Sequence, residues 1–314
     1  MIFNTPILLI AFNRPTTTAR VFAVLRALQP RRLFIALDAP RGDFDQAACS
    51  AVKSIVQSID WDCAVEYLIQ DKNLGVKLAG PTAINWFFSH VEQGIILEDD
   101  CLPELSFFAY CQELLNYYQD NEQIWHISGD NFQPGLVTDD SYYFSQIPHI
   151  WGWATWRRAW QHYDIAMKNF PNFVANQSIK NIFPKKIQQL FWLDVFRQNY
   201  LALDKGWDFQ WSYALIKHQA LAINPGVNLI SNIGFGAGAA HATDQASSFA
   251  NLPTSPISLP LRHPSNLVVN ALADDFIMSH NFGATWSNFF IKQILRRLGL
   301  FALAKRFYYY FNSL

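Results

Sequence analysis

The chain has 314 residues, of which 51% are hydrophobic, enough to bury the core of one large domain or two small ones. Its 24 basic and 25 acidic residues leave a net charge of −1. Because this balance gives no overall positive field, we expect no nucleic-acid partner.

Apolar runs alternate with segments of helical spacing along the first half of the chain. The runs, which are bounded by turn residues, predict strands, and the segments between them predict helices. The predicted strands cover residues 6–12, 33–37, 64–69, 94–97, 124–127 and 142–144. Short connections between these elements favour βαβ units and a parallel, doubly wound α/β sheet.

The apolar run 94–97 leads directly into the three acids Glu98, Asp99 and Asp100. Apolar residues without alternation suit a strand that is buried on both faces, so the acids are expected at its carboxyl end, where α/β sheets bind ligands. Carboxylate oxygens suit a hard divalent cation, which commonly holds a diphosphate. The triplet therefore predicts a metal–nucleotide site, with a solvated acidic turn before a helix as the alternative.

Two later segments are rich in tryptophan. Trp151-Gly152-Trp153 indicates either an aromatic wall that a ligand approaches or plain core packing. Asp208 lies among Trp207, Phe209 and Trp211. Because burial raises the pKa of a carboxyl group, Asp208 is a candidate general base. The alternative is a helix N-cap, and both roles are compatible.

The last third of the chain carries three further features. His241 lies in a Gly- and Ala-rich segment, 232–243, that we expect to be a flexible loop able to close over a diphosphate or a metal. Segment 253–264 contains four prolines and predicts a linker or a surface wrap. A basic amphipathic helix is predicted from Ile291 to Arg306, and it could contact an anionic membrane surface or pack on the domain.

Cysteine spacing and the N-terminus bear on the compartment. The four cysteines lack the spacing of a zinc site, so we expect core thiols in a reducing environment. The N-terminal apolar stretch is too short for a signal peptide or a membrane span. We therefore expect a cytoplasmic protein, either free or peripheral on the inner face of the membrane.

These motifs, in this order, resemble the glycosyltransferase-A fold, specifically its N-acetylglucosaminyltransferase I-like branch and the bacterial relatives of that branch. The resemblance covers about residues 6 to 245 and is most specific where the acid triplet precedes Pro103 and a Phe-rich helix. It implies an α/β, doubly wound, mostly parallel sheet with flanking helices and a C-terminal helical tail. The implied catalytic domain is 1–250, with a nucleotide-binding half, 1–131, and an acceptor half, 132–250, followed by a linker and helix in 251–314.

The resemblance also implies roles for individual residues. Asp100 would bind Mn²⁺ or Mg²⁺ directly, Asp99 would face the ribose, and Glu98 would face the donor sugar. Asp208 matches the segment that carries the catalytic base. The other implied nucleotide contacts are Asn13, Arg14, Asp38 and Gly75, and the donor-sugar or acceptor contacts are Asp130, Asn131, Trp153, Trp207 and His241.

The implied reaction is an inverting, metal-dependent transfer from a nucleoside diphosphate sugar, expected to be UDP-linked, to a hydroxyl of a glycan or lipid-linked acceptor. A sugar-nucleotide nucleotidyltransferase is an alternative. It would need a Gly-rich basic loop after the first strand, whereas the segment 13–16 contains Arg14 and no glycine. A non-catalytic glycan-binding module on the same fold is the second alternative.

Overall fold

A computed structural model describes residues 3–135, 137–201, 206–235 and 249–300. Within these ranges, eight strands form one central sheet and two short strands form a separate ribbon. The strands are β1 (Ile7–Ala11), β2 (Arg32–Leu37), β3 (Ala64–Ile69), β4 (Gln93–Glu98), β5 (Cys101–Pro103), β6 (Ile124–Ser128), β7 (Tyr142–Ser145), β8 (Trp153–Trp156), β9 (Leu221–Pro225) and β10 (Ile230–Asn232).

Helices connect and flank these strands. The α-helices are α1 (Pro15–Leu28), α2 (Asp43–Gln57), α3 (Val76–His90), α4 (Ser106–Tyr117), α5 (Arg157–Trp160), α6 (Phe170–Ala175), α7 (Lys186–Tyr200), α8 (Asp208–His218), α9 (Ala271–Phe276) and α10 (Trp286–Arg297). A membrane-spanning helix would have to be longer and more apolar than any helix in the described ranges.

The central sheet has the order β3-β2-β1-β4-β8-β6-β9-β7. Four of its seven neighbouring pairs are parallel and three, those of β8 with β4 and β6 and of β7 with β9, are antiparallel. The α/β prediction is confirmed, and the sheet is mixed beyond β4. Strands 6–12, 33–37, 64–69 and 94–97 are confirmed to within about two residues, as is usual for boundaries.

Both faces of the central strands are covered, which explains their unbroken apolar sequence. Leu9 and Leu97 pack with the apolar faces of α1, α2 and α4, whereas Leu8 and Ile96 pack on the opposite side with α3 and α8. Each strand therefore alternates between two cores rather than between core and solvent. Because β1 pairs in parallel with both β2 and β4, the carboxyl ends of these three strands lie at the same edge of the sheet.

The Pro-rich segment wraps the domain. Leu261 is buried, and its backbone N–H donates to Glu113 Oε1 at 3.1 Å. Val269 forms a parallel bridge with Phe144 of the edge strand β7. Asn270 then caps α9 by accepting a hydrogen bond from the Ala273 N–H at 3.1 Å. Of the two possibilities left open for this segment, the surface wrap is the one observed.

A buried carboxyl, Asp274, ties α9 to the end of β7. Its Oδ1 accepts a hydrogen bond from Ser145 Oγ at 2.5 Å, and its Oδ2 accepts one from the Gln146 N–H at 3.0 Å. Burial raises the pKa of Asp274 to about 6, although these two hydrogen bonds act in the opposite direction. The folded pKa thus lies above the reference value of about 3.9.

We expect Asp274→Asn to flatten the pH dependence of stability between about pH 4 and about pH 6. As pH rises, the unfolded wild-type chain ionises at position 274 before the folded protein does. Ionisation of this carboxyl therefore lowers the free energy of unfolding as pH rises, by about 3 kcal/mol above pH 6. Urea unfolding of both proteins at several pH values measures this, with Asp71→Asn, at an exposed acid on the loop after β3, as the control. Parallel wild-type and Asp274→Asn profiles would contradict it.

Candidate functional site

A cavity of about 780 Å³ opens where β1, β2 and β4 end. It collects residues that are distant in sequence, because the carboxyl ends of parallel strands share one edge of the sheet. Nine of the twelve predicted site residues in the described ranges line it. They are Asn13, Arg14, Asp38, Gly75, Glu98, Asp99, Asp100, Trp207 and Asp208.

All three acids of the triplet line this cavity. Glu98 is the last residue of β4, and Asp99 and Asp100 form the turn before β5. The Phe12 N–H at the end of β1 donates to Asp99 Oδ2 at 3.0 Å. The Arg14 guanidinium donates to Asp100 Oδ2, and its Nη1 lies 4.0 Å from Asp99 Oδ1. The triplet is therefore an ordered, partly buried cluster and not a solvated turn.

The cluster concentrates negative charge. Burial raises the pKa of Glu98, and the carboxylates of Asp100, Asp99 and Asp208 raise it further. Burial and the Asp100 carboxylate likewise raise the pKa of Asp99. Burial lowers the pKa of Arg14, but the neighbouring carboxylates outweigh this and leave it raised. Three carboxyl groups thus act on a single guanidinium, and the fourth, Asp208, acts on Glu98. Additional positive charge would stabilise this arrangement.

Asp100 is held against a glycine from the other end of the chain. The Ile233 N–H donates to the Asp100 carbonyl at 2.8 Å, next to the ribbon of β5 and β10. A Cβ on Gly234 would lie 2.1 Å from Asp100 Oδ2 and 2.6 Å from its Cβ. Only a residue without a side chain fits here, so Gly234 fixes where the Asp100 carboxylate can lie.

We expect Gly234→Ala to lower the free energy of unfolding by about 1–3 kcal/mol, since the added methyl must push Asp100 away from Arg14. Thermal or urea unfolding measures this loss. Gly135→Ala is the matched control, because a Cβ at Gly135 would meet no atom within 4 Å. Equal stability of the two variants would show that Asp100 moves without cost.

Each carboxylate oxygen of Asp38 accepts two hydrogen bonds from within the protein. Its Oδ1 accepts from the N–H groups of Ala39 and Leu74, both at 2.9 Å. Its Oδ2 accepts from the Gly75 N–H at 3.0 Å and from Asn73 Nδ2 at 3.1 Å. Gly75 has φ +71°, a conformation that favours glycine, and α3 starts directly after it. Asp38 therefore anchors the loop before α3 at the cavity.

Sequence reasoning missed a polar cluster behind Asn13. Buried Asp45 accepts hydrogen bonds from Asn13 Nδ2 at 2.7 Å and from Arg41 Nε at 2.5 Å. The Arg41 hydrogen bond holds the pKa of the Asp45 carboxyl well below its usual range. The Arg41 guanidinium also lies 5.3 Å from the ring centroid of Phe12, and both residues line the cavity. The sequence does offer one signal for Arg41, which is its position in the turn that follows Asp38 at the end of β2.

Trp207 and Asp208, at the start of α8, also line the cavity. The Tyr163 hydroxyl donates to the Trp207 carbonyl at 3.1 Å, and a Cβ on Gly80 would lie only 2.7 Å from Trp207 Nε1. The N-cap of α8 is Trp207, and Asp208 is the first helical residue, so the N-cap interpretation of Asp208 is wrong. Asp208 is the acidic residue in the first turn of α8, at the positive end of the helix dipole.

Asp130, Asn131 and Trp153 lie behind the cavity wall. Asp130 Oδ2 accepts a hydrogen bond from the Trp151 N–H at 3.0 Å, and burial raises the Asp130 pKa well above its usual range. Asn131 Nδ2 donates to the Pro225 carbonyl at 2.9 Å. Trp153 is buried and stacks on His126 with centroids 4.9 Å apart.

Trp151, and not Trp153, lines the cavity. Gly152 between them has φ +66°, which breaks the strand alternation and separates the two rings. Trp151 meets Phe235 at a centroid distance of 5.8 Å and Phe249 at 6.5 Å, forming an aromatic wall. His241 lies outside the described residues.

The carboxylates of the triplet suit a divalent cation only if ligands from outside this cluster complete the coordination of the ion. In the described ranges, no group of three or more His, Cys, Asp or Glu side chains could hold a metal ion unaided. Asp100 nevertheless lines the cavity, and its carboxylate already binds the positive Arg14 side chain. Hard carboxylate oxygens beside an open cavity fit Mn²⁺ or Mg²⁺, which usually retain water or substrate phosphate oxygens as ligands.

Comparisons with known proteins give weak similarities. No family model matches the chain, and no curated protein sequence matches it. Mouse xyloside xylosyltransferase 1 shares 10% identity over 69% of this chain and 82% of its own, with a TM-score of 0.35. HddC from Yersinia pseudotuberculosis shares 13% identity over 49% of this chain and 77% of its own, with a TM-score of 0.32.

A third similar structure is 4-diphosphocytidyl-2C-methyl-D-erythritol synthase from Anaerococcus prevotii. It shares 10% identity over 55% of this chain and 77% of its own, with a TM-score of 0.31. TM-scores of this size do not establish a common fold or a common function.

Proposed function

We propose that this protein is an inverting, metal-dependent glycosyltransferase that moves a sugar from a nucleoside diphosphate sugar, UDP-linked, to a hydroxyl of a glycan or lipid-linked acceptor. One observation carries the proposal. The acid triplet and Asp208 come from different parts of the chain, 98–100 and 208, yet they face one cavity large enough for a nucleotide sugar.

The two sets of acids suit two separate tasks. Three clustered carboxyls match the binding of a cation and diphosphate, and one carboxyl from a separate helix, α8, matches proton abstraction. Asp208 would take the proton of the acceptor hydroxyl while that oxygen attacks the anomeric carbon. The bond from the anomeric carbon to the diphosphate oxygen breaks on the far side, so the configuration inverts. A retaining glycosidase would instead need two carboxyls flanking the bond.

Asp100 would hold the cation, and Asp99 and Glu98 would add negative charge beside it. When bound, Mn²⁺ or Mg²⁺ neutralises the charge that develops on the departing diphosphate. Arg14 is placed to contribute in the same way, since its guanidinium already lies at Asp100. Asp38 would act indirectly, by holding Asn73 and Gly75 at the nucleotide end of the cavity.

The acceptor side is assigned to the aromatic wall of Trp151, Phe235 and Phe249, together with Trp207. Flat rings in a cavity wall suit the apolar faces of sugars. The backbone N–H of Trp151 donates to buried Asp130, which positions this residue at the cavity. Asp130 and Trp153 would then support the acceptor site from behind.

Isothermal titration with a panel of sugar nucleotides, with and without Mn²⁺, tests the proposal most directly. We expect one UDP-sugar to bind only when the metal is present and to be consumed when an acceptor is added. Binding without turnover for every acceptor would favour a glycan-binding module. Release of pyrophosphate from a nucleoside triphosphate and a sugar phosphate would favour a nucleotidyltransferase.

A further inference from the structure

Helix α10 presents its apolar residues to solvent. Trp286, Phe290 and Ile294, spaced four residues apart on one face, are 48%, 57% and 56% exposed. Ile291 and Leu298 extend this face and are exposed to a similar degree. No residue of α10 is fully buried. An amphipathic helix that contributes to the core of its own domain has the opposite orientation.

The side of α10 that carries Arg296 is attached to the domain. Arg296 donates from both Nη1 and Nη2 to the Asp194 carboxylate of α7, each at 2.8 Å. Phe289, Lys292 and Gln293, on the same side, are half-buried. A bidentate pair of this kind fixes orientation as well as position. The helix is therefore docked on the domain with its apolar face directed outward.

The segment that carries this face is basic in sequence. Residues 276–314 contain no Asp or Glu, although the whole chain carries a net charge of −1. The basic residues of this segment are Lys292, Arg296 and Arg297, together with Lys305 and Arg306, which lie outside the described residues. Arg297 is exposed at the border of the apolar face. An exposed apolar face that carries an arginine, in a segment without acids, matches the boundary between lipid headgroups and acyl chains of an anionic bilayer.

We propose that the exposed face of α10 docks the protein on an anionic membrane surface. Trp286, Phe290 and Ile294 enter the headgroup region, and Arg297 lies near the lipid phosphates. The Arg296–Asp194 pair then sets the orientation of the whole domain relative to the bilayer. A second copy of this chain is a poorer occupant, because two such faces would bring like charges together.

Co-sedimentation of the full chain with vesicles tests this surface without depending on catalytic activity. We expect binding to vesicles of phosphatidylserine mixed with phosphatidylcholine, weaker binding to phosphatidylcholine alone, and loss of binding at high salt. The triple substitution Trp286→Ser, Phe290→Ser and Ile294→Ser should weaken binding by about 100-fold or more. Arg297→Gln should weaken it about fivefold.

Phe44→Ser is the matched control, because Phe44 is 75% exposed but belongs to α2. It should bind vesicles like the wild type. No binding to anionic vesicles, or equal binding of the triple variant, would overturn the proposal. Concentration-dependent dimerisation that the triple variant abolishes, without vesicle binding, would assign the face to a second copy instead.

Discussion

Replacing Asp208 by Asn should reduce turnover by about 10²–10⁴-fold while leaving the affinity for the donor nearly unchanged. The amide keeps the size of the carboxyl group but cannot accept the proton of the acceptor hydroxyl. Because Asp208 is the first residue of α8 and not its N-cap, Asn loses a favourable interaction with the helix dipole. We therefore expect a stability loss of about 0.3–1 kcal/mol, too small to explain the kinetic effect.

Asp43→Asn controls for that loss. Asp43 is also the first residue of its helix, α2, but it is exposed and does not line the cavity. Both variants should show similar small changes in melting temperature, and only Asp208→Asn should lose turnover. Near wild-type transfer by a normally folded Asp208→Asn protein would assign the base to another group.

Replacing Asp100 by Ala should abolish the metal-dependent part of donor binding. Its carboxylate is the proposed metal ligand, and loss of such a ligand should weaken donor binding at least about 100-fold in Mn²⁺. Titration calorimetry with UDP in Mn²⁺ and in EDTA measures the effect. We expect the variant to bind as weakly in Mn²⁺ as the wild type does in EDTA.

Asp71→Ala is the control for this measurement, since Asp71 is an exposed acid on the loop that follows β3. The Asp100→Ala variant should still fold, because Arg14 Nη1 keeps a second carboxylate oxygen, Asp99 Oδ1, at 4.0 Å. If wild-type protein binds UDP equally well in EDTA, the metal proposal fails while the general-base proposal for Asp208 remains testable.

Local sequence patterns were sufficient where a residue's position follows from one strand. Unbroken apolar runs located β1, β2 and β4, and the first polar residues after them, Asn13, Asp38 and Glu98, all line the cavity. Trp207 and Asp208 came from their unusual aromatic surroundings. The assignment to the N-acetylglucosaminyltransferase I-like branch, the metal and the individual roles stay predictions.

Other features depend on tertiary contacts that no local pattern contains. The reversal at Gly152 decides that Trp151 rather than Trp153 reaches the cavity. Asp38 follows β2, but two of the hydrogen bonds that its carboxylate accepts come from Leu74 and Gly75, in the loop after β3. The apolar face of α10 points outward because Arg296 pairs with Asp194, which lies 102 positions away in the sequence. Periodicity reveals which face of a helix is apolar, but not where that face points.

The contact between Gly234 and Asp100 also limits how this protein could be re-engineered. The ribbon of β5 and β10 joins the carboxylate end of the cavity to the segment that carries Phe235 of the aromatic wall. A chimera that imports a new 229–235 segment without its matching 100–103 segment would misplace the carboxylate. The two stretches therefore form one transferable module, and directed evolution of either should sample both in the same library.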